Sequence, residues 1–148
     1  MAEDTTTTTT ATAATEAPKV PAATGRRKKA KRVVATGQLH VKATFNNTII
    51  SITDKKGEVI ATASAGACGF RGSKKGTAYA AQIAAEKALN TAQQNNSLRS
   101  VDVFVNGIGQ GRDAAIRATA TAGIEVESIT DKTGVPHGGV RPRKVRHP

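Results

Sequence analysis

The sequence predicts an α/β domain: a mixed five-stranded sheet, an antiparallel meander joined to parallel crossovers, with two packed helices and basic tails on either side. Three observations predict it. Short runs between residues 38 and 64 alternate apolar and polar positions and are separated by turn residues. Residues 78–94 form an alanine-rich run of helical period. From residue 78 to 130, helical and strand patterns alternate.

Residues 38–45 (QLHVKATF) place Leu39, Val41 and Ala43 on one face and His40, Lys42 and Thr44 on the other, as a half-buried strand does. Asn46-Asn47 is a tight turn into a second strand, 47–53 (NTIISIT). Asp54-Lys55-Lys56-Gly57 is another turn, leading to a third strand, 58–64 (EVIATAS), which completes the meander. A glycine-rich, flexible loop (66–77, GACGFRGSKKGT) precedes the first helix. The stripe of Ala81, Ala85, Ala88 and Ala92 along that helix is small enough to lie close to a sheet. A fourth strand, 100–105 (SVDVFV), leads through GIGQG to a helix over 112–122, stopped by Gly123. A fifth strand covers 124–130 (IEVESIT). Strands alternating with helices imply right-handed crossovers and parallel pairing in this half. The chain thus divides into a disordered Thr/Ala-rich tail (1–25), a basic extended segment (26–37), an α/β domain (38–132) and a basic C-terminal tail (133–148).

Lysine and arginine total 22 against 11 acids, for a net charge of +11, and the pI is near 10.3. Such a surplus draws polyanions, and its clustering argues against a merely charged surface. No run of about 18 apolar residues is present to span a bilayer, and no partner membrane is expected. Cys68 is the one cysteine, and His40, His137 and His147 are scattered, so neither an internal disulfide nor a zinc site of the usual spacing is expected. A reducing, intracellular setting fits. No secretory signal is expected, and Glu3 and Asp4 with no arginine before Arg26 speak against a transit peptide.

Three basic stretches carry the expected RNA contacts. Arg26, Arg27, Lys28, Lys29, Lys31 and Arg32 form the block RRKKAKR. RNA contact is the preferred reading because the rest of the chain is also basic, and a nuclear-localisation signal is the competing one. In the glycine-rich loop, Arg71, Lys74 and Lys75 stand without an acid just before a helix N-terminus, where phosphate is favoured. The lysines precede the last glycine, so the loop is not a P-loop, and its alternative is a solvated connector. The C-terminal tail adds Arg141, Arg143, Lys144 and Arg146, with His137 beside them. GIGQGRDAAIRA follows a strand and opens a helix but lacks dinucleotide-site spacing and its distal acid. Arg112 and Arg117 there are five apart, so they do not share a helix face. Arg112, at the helix start, is the better phosphate candidate, and Asp113 suits the helix dipole.

Catalysis finds no support. Asp54, Asp102, Asp113 and Asp131 sit where turns, a strand face, a helix start and a strand end would put them, and no base is suggested beside Cys68. No cofactor is expected. Aromatics are few: Phe45 and Phe104 are read as core, Phe70 as a possible RNA contact, and Tyr79 makes up the set. Without a stacking platform, recognition of folded RNA through charge and shape is expected.

Three blocks, in order, resemble the family of the eleventh protein of the small ribosomal subunit: SAGACGFRGSKKGTAYAAQ (64–82), GIGQGRDAAIRA (107–118) and DKTGVPHGGVRPRK (131–144). The resemblance spans nearly all of residues 38–146. It implies an α/β fold and a structural, non-enzymatic part on the platform of the small subunit. There it would bridge ribosomal RNA helices and help form the cleft for the duplex between messenger and the RNA 3′ end. It implies as neighbours the seventh and eighteenth small-subunit proteins and initiation factor three. It also implies a place in the ribosomes of a bacterial cytoplasm or an organelle stroma or matrix. The chain departs from the family pattern at Ala78, where proline is usual, and at Gly138, Val140 and Arg143, which replace asparagine, cysteine and proline. The Ala78 exchange predicts a less rigid helix start. A free RNA chaperone or a nucleoid-type binder is the alternative function, and a nucleotide-binding enzyme a distant third.

Overall fold

The computed structural model describes residues 33–145. Five strands, β1 (Thr36–Ala43), β2 (Thr48–Asp54), β3 (Val59–Ser64), β4 (Ser100–Asn106) and β5 (Glu125–Asp131), form one sheet of order β3-β2-β1-β4-β5. The β1–β2 and β2–β3 pairs are antiparallel, and β1–β4 and β4–β5 are parallel. Helix α1 (Ala78–Asn96) connects β3 to β4, and α2 (Gly111–Thr121) connects β4 to β5. This is the mixed five-stranded α/β architecture that the sequence predicts.

Both crossovers advance in the same direction across the sheet, so their common right-handed sense puts both helices on one face. There they pack against each other and against the strands. The strand alternation follows from this. Leu39, Val41, Ile50, Ile52, Val101, Val103 and Val105 point to the helices and are buried, while His40, Lys42 and Phe104 lie on the opposite face, which no element covers among the described residues. The expected alanine stripe is buried along with Ala80, Ala84 and Leu89. Its small side chains let α1 approach both the sheet and α2.

The helix ends are set locally. Thr77 Oγ1 accepts from the Ala80 amide at 3.3 Å and donates to the Lys74 carbonyl at 2.8 Å, so the start of α1 is fixed on both sides without proline at position 78. Gly123, at φ 69°, ends α2 as predicted. Its amide reaches Ala120 and that of Ile124 reaches Thr119, closing a Schellman motif whose apolar residue, Ile124, is buried.

Three expectations are corrected. The first strand stops at Ala43, because Thr44 turns the chain: its amide and hydroxyl donate to the Asn47 carbonyl at 2.9 and 2.8 Å. Phe45 is therefore not core but 71% exposed on that turn. Phe104 also lies outside the core, half-buried on the open face because Val103 and Val105 take the helix side. The segment read as a flexible loop is also built: residues Gly72–Gly76 form a 3-10 helix.

Candidate nucleic-acid interface

β1, β3, β4 and β5 run parallel to one another, so their carboxyl ends share one end of the sheet. The β1–β2 turn, the 65–77 loop, the 107–110 loop and the chain after Asp131 all leave there, beside the N-termini of both helices. In open α/β sheets this is the end where ligands bind.

The segments are tied together through their backbones. The Gly109 amide donates to Ala43, that of Lys132 to Val105, and that of Ala65 to Thr48, at 3.1, 2.8 and 3.1 Å. Close approach requires glycine at several positions here, Gly76 and Gly107 among them. A Cβ at Gly76 would run into the Phe45 carbonyl, and one at Gly107, whose φ is +104°, into the Ala43 carbonyl. At both positions the glycine serves the contact between loops.

Arg71, Lys74 and Lys75 lie on the 65–77 loop. Arg71 donates from Nη1 to the Gly66 carbonyl at 2.9 Å, while Lys74 is exposed and Lys75 half-buried. Arg112 and Arg117 diverge as their spacing requires. Arg112 turns toward β5 and pairs with Asp131 at 2.8 Å, so its guanidinium is partly committed within the protein. Arg117 is exposed and lines a groove between the first turns of the helices. His137, Arg141, Arg143 and Lys144 follow β5 on an exposed segment without regular structure. Arg26, Arg27, Lys28, Lys29, Lys31, Arg32 and Arg146 lie outside the described residues, as do residues 1–25.

One cation was missed by sequence reasoning. Lys132 Nζ stands 4.0 Å from the centre of the Phe104 ring, and His40 stacks on Phe104 at 5.2 Å. Burial, and then the Lys132 charge, lower the His40 pKa from its ordinary value, so its imidazole stays neutral at pH 7. The signal was available, since alternation in SVDVFV already places Phe104 opposite the three valines.

Asp54, Asp102 and Asp131 have structural partners. Asp54 accepts from the Lys56 and Glu58 amides at 2.7 and 3.1 Å, and Asp102 from the Ser128 hydroxyl at 2.6 Å. Asp131 accepts from the Thr133 hydroxyl and amide at 2.6 and 2.9 Å. Among the described residues no group of three or more His, Cys, Asp or Glu could hold a metal ion, and no helix is long and apolar enough to cross a membrane. Cys68 is half-buried against the core.

Those Thr133 bonds, and then Arg112, hold the Asp131 carboxyl below its ordinary value of 3.8. A depressed folded-state pKa contributes stability above the unfolded value that is lost as pH falls through the folded one. Asp131→Asn is expected to lower the urea midpoint slightly at pH 7, the site being open to solvent. The gap to the parent should close in acid below about 3.8. A gap independent of pH would mean that the carboxylate charge contributes nothing.

The family model described as Ribosomal protein S11 matches residues 37–147. Among curated proteins, the Small ribosomal subunit protein uS11 of Solibacter usitatus is 53% identical over 132 residues, covering 86% of this chain and 97% of the relative. The proteins of the same name from Pseudoalteromonas atlantica and Psychromonas ingrahamii are each 52% identical. They cover 81% and 83% of this chain, and 92% and 95% of their own lengths.

Proposed function

The chain belongs to the ribosomal protein S11 family, and from that premise we propose that it binds ribosomal RNA on the platform of the small subunit, bridging RNA helices and lining the cleft that holds the messenger–3′-end duplex. Its work is that of a structural component of the small ribosomal subunit and not of an enzyme. The seventh and eighteenth small-subunit proteins and initiation factor three are its proposed neighbours, in ribosomes of the bacterial or organellar type.

The observation that carries this reading is the gathering of Arg71, Lys74, Lys75, Arg112 and Arg117 at one end of the sheet, with the basic segment after β5 leaving from the same end. Fixed loops present these cations as a shaped surface, which suits folded RNA better than a disordered basic tail would. Arg112 contributes there in part, since Asp131 shares its charge. The N-terminal block Arg26–Arg32 supplies further phosphate contacts on this proposal, as do Arg141, Arg143, Lys144 and Arg146, with His137.

Affinity for small-subunit RNA is expected to fall linearly in log–log form as salt rises, with a slope of about −0.7 to −0.9 per phosphate neutralised. Filter binding across a salt series measures it, and a flat response would remove the backbone-contact model. Chemical footprinting of reconstituted subunits tests the location: protection should cluster in platform helices, and protection elsewhere would refute that placement. Co-sedimentation with small subunits at moderate salt separates a resident protein from a chaperone, which washes off.

A further inference from the structure

We propose that the groove between the first turns of α1 and α2 receives one unpaired nucleotide of bound RNA, its base stacked on Tyr79 and its exocyclic amine donating to Asp113. This rests on the RNA-binding reading above and adds a base-selective site to it.

The groove has a volume of about 430 Å³ and is lined by Tyr79, Gln82, Gln110, Asp113 and Arg117 among others, which is room for a nucleotide rather than a helix of RNA. Its flat wall is Tyr79, 64% exposed and braced edge-to-face by Phe70 with ring centres 6.0 Å apart. A braced aromatic ring with a free face is a stacking surface for any base. The charges round the groove fit the rest of a nucleotide. Arg117 forms part of its wall, and Lys74 and Lys75 lie on the 3-10 helix that packs against α1, so a phosphate chain laid across them carries its bases past the opening.

The polar atoms inside select among bases. Gln82 gives one amide N–H to Glu86 at 2.9 Å, which keeps its second N–H and its carbonyl oxygen for a base edge. Asp113 reaches Arg112 Nε only at 4.0 Å, because Arg112 is held from the other side by Asp131, and this leaves the Asp113 carboxylate open. Asp113 is therefore the charged acceptor of the wall. A carboxylate repels phosphate but takes N–H groups from a base edge. Guanine, with adjacent N1–H and N2–H donors, suits it best. Uracil suits it worst, since its one ring N–H lies between two carbonyls that the carboxylate repels.

The chain has one tyrosine and no tryptophan, so its intrinsic fluorescence reports on this groove alone. The full chain is titrated at low salt with a seven-nucleotide oligouridylate and with the same oligomer bearing one central guanosine. End-label anisotropy follows binding, and tyrosine emission, corrected for absorption, follows stacking. Both oligomers should bind, with quenching stronger for the guanosine one. Asp113→Asn should abolish that difference. Tyr79→Ala should weaken binding of the guanosine oligomer about fivefold or more, while Tyr79→Phe, which keeps the ring, should not. Binding without quenching, or equal quenching by both oligomers, overturns the groove assignment and leaves RNA binding standing. Absence of binding by anisotropy overturns both. Fluorescence silent to RNA, together with Tyr79 shielded from iodination only once neighbouring small-subunit proteins are added, would give the groove to a protein side chain instead.

Discussion

Replacing Arg71, Lys74 and Lys75 together by glutamate is expected to cut incorporation into small subunits, in competition with the unaltered protein, by about tenfold or more. The change swings local charge from +3 to −3 at a loop whose nearest acid in sequence, Glu58, lies beyond β3. Contacts worth three phosphates in a salt-sensitive interface would become repulsions. The fold should survive. Arg71 and Lys74 are exposed, and among the described residues the Arg71 side chain donates to the Gly66 and Phe70 carbonyls of its own loop. Beneath the loop, Ala65, Ala80 and Ala81 remain buried and Thr77 still caps α1. Circular dichroism of the triple variant should match the parent. Equal competition by a folded variant would reduce the loop to a connector, with the interface elsewhere.

The contrast between what the sequence announced and what it hid follows from the range of the forces involved. Period-two alternation in QLHVKA and SVDVFV is imposed by one covered face, so the strands and their burial were legible from near neighbours alone. The Gly123 stop was legible because a left-handed residue after a helix is a local demand. Phe45 was misassigned because alternation was carried one residue pair too far, past Thr44, whose hydroxyl bond to Asn47 closes the turn. The commitment of Arg112 to Asp131 was not legible at all, since it depends on α2 and the end of β5 meeting in space. The same holds for the glycines of the two loops: sequence marks them as permissive, and only packing against residues 43–45 shows what they permit. The Tyr79 groove likewise joins residues from two helices some thirty positions apart, about the spacing at which local patterns fall silent.

Removing residues 137–148 is expected to lower subunit occupancy by about tenfold or more, whereas removing residues 1–25 should leave it nearly unchanged. The C-terminal segment carries Arg141, Arg143, Lys144 and Arg146 with no acid, and Pro142 and Pro148 disfavour a helix there. It follows β5 from the end of the sheet where the other cations gather, and residues 137–145 are all exposed, Val140 at 98%. Chain so placed contributes little to the core, so its cations are available to phosphates that the folded surface does not reach. The last structural ties of β5, Thr133 to Asp131 and to the Gly107 amide, lie before the cut, and the sheet should persist without the tail. Residues 1–25 offer Lys19 against Glu3, Asp4 and Glu16, a net charge that phosphates repel. The two truncations therefore differ in sign of charge as well as in place, and coexpression of each with the full-length chain, followed by quantitation in purified small subunits, compares them directly. Similar occupancy for both, or a greater loss from the threonine-rich end, would refute the ranking and move the decisive contacts away from the C-terminal cations.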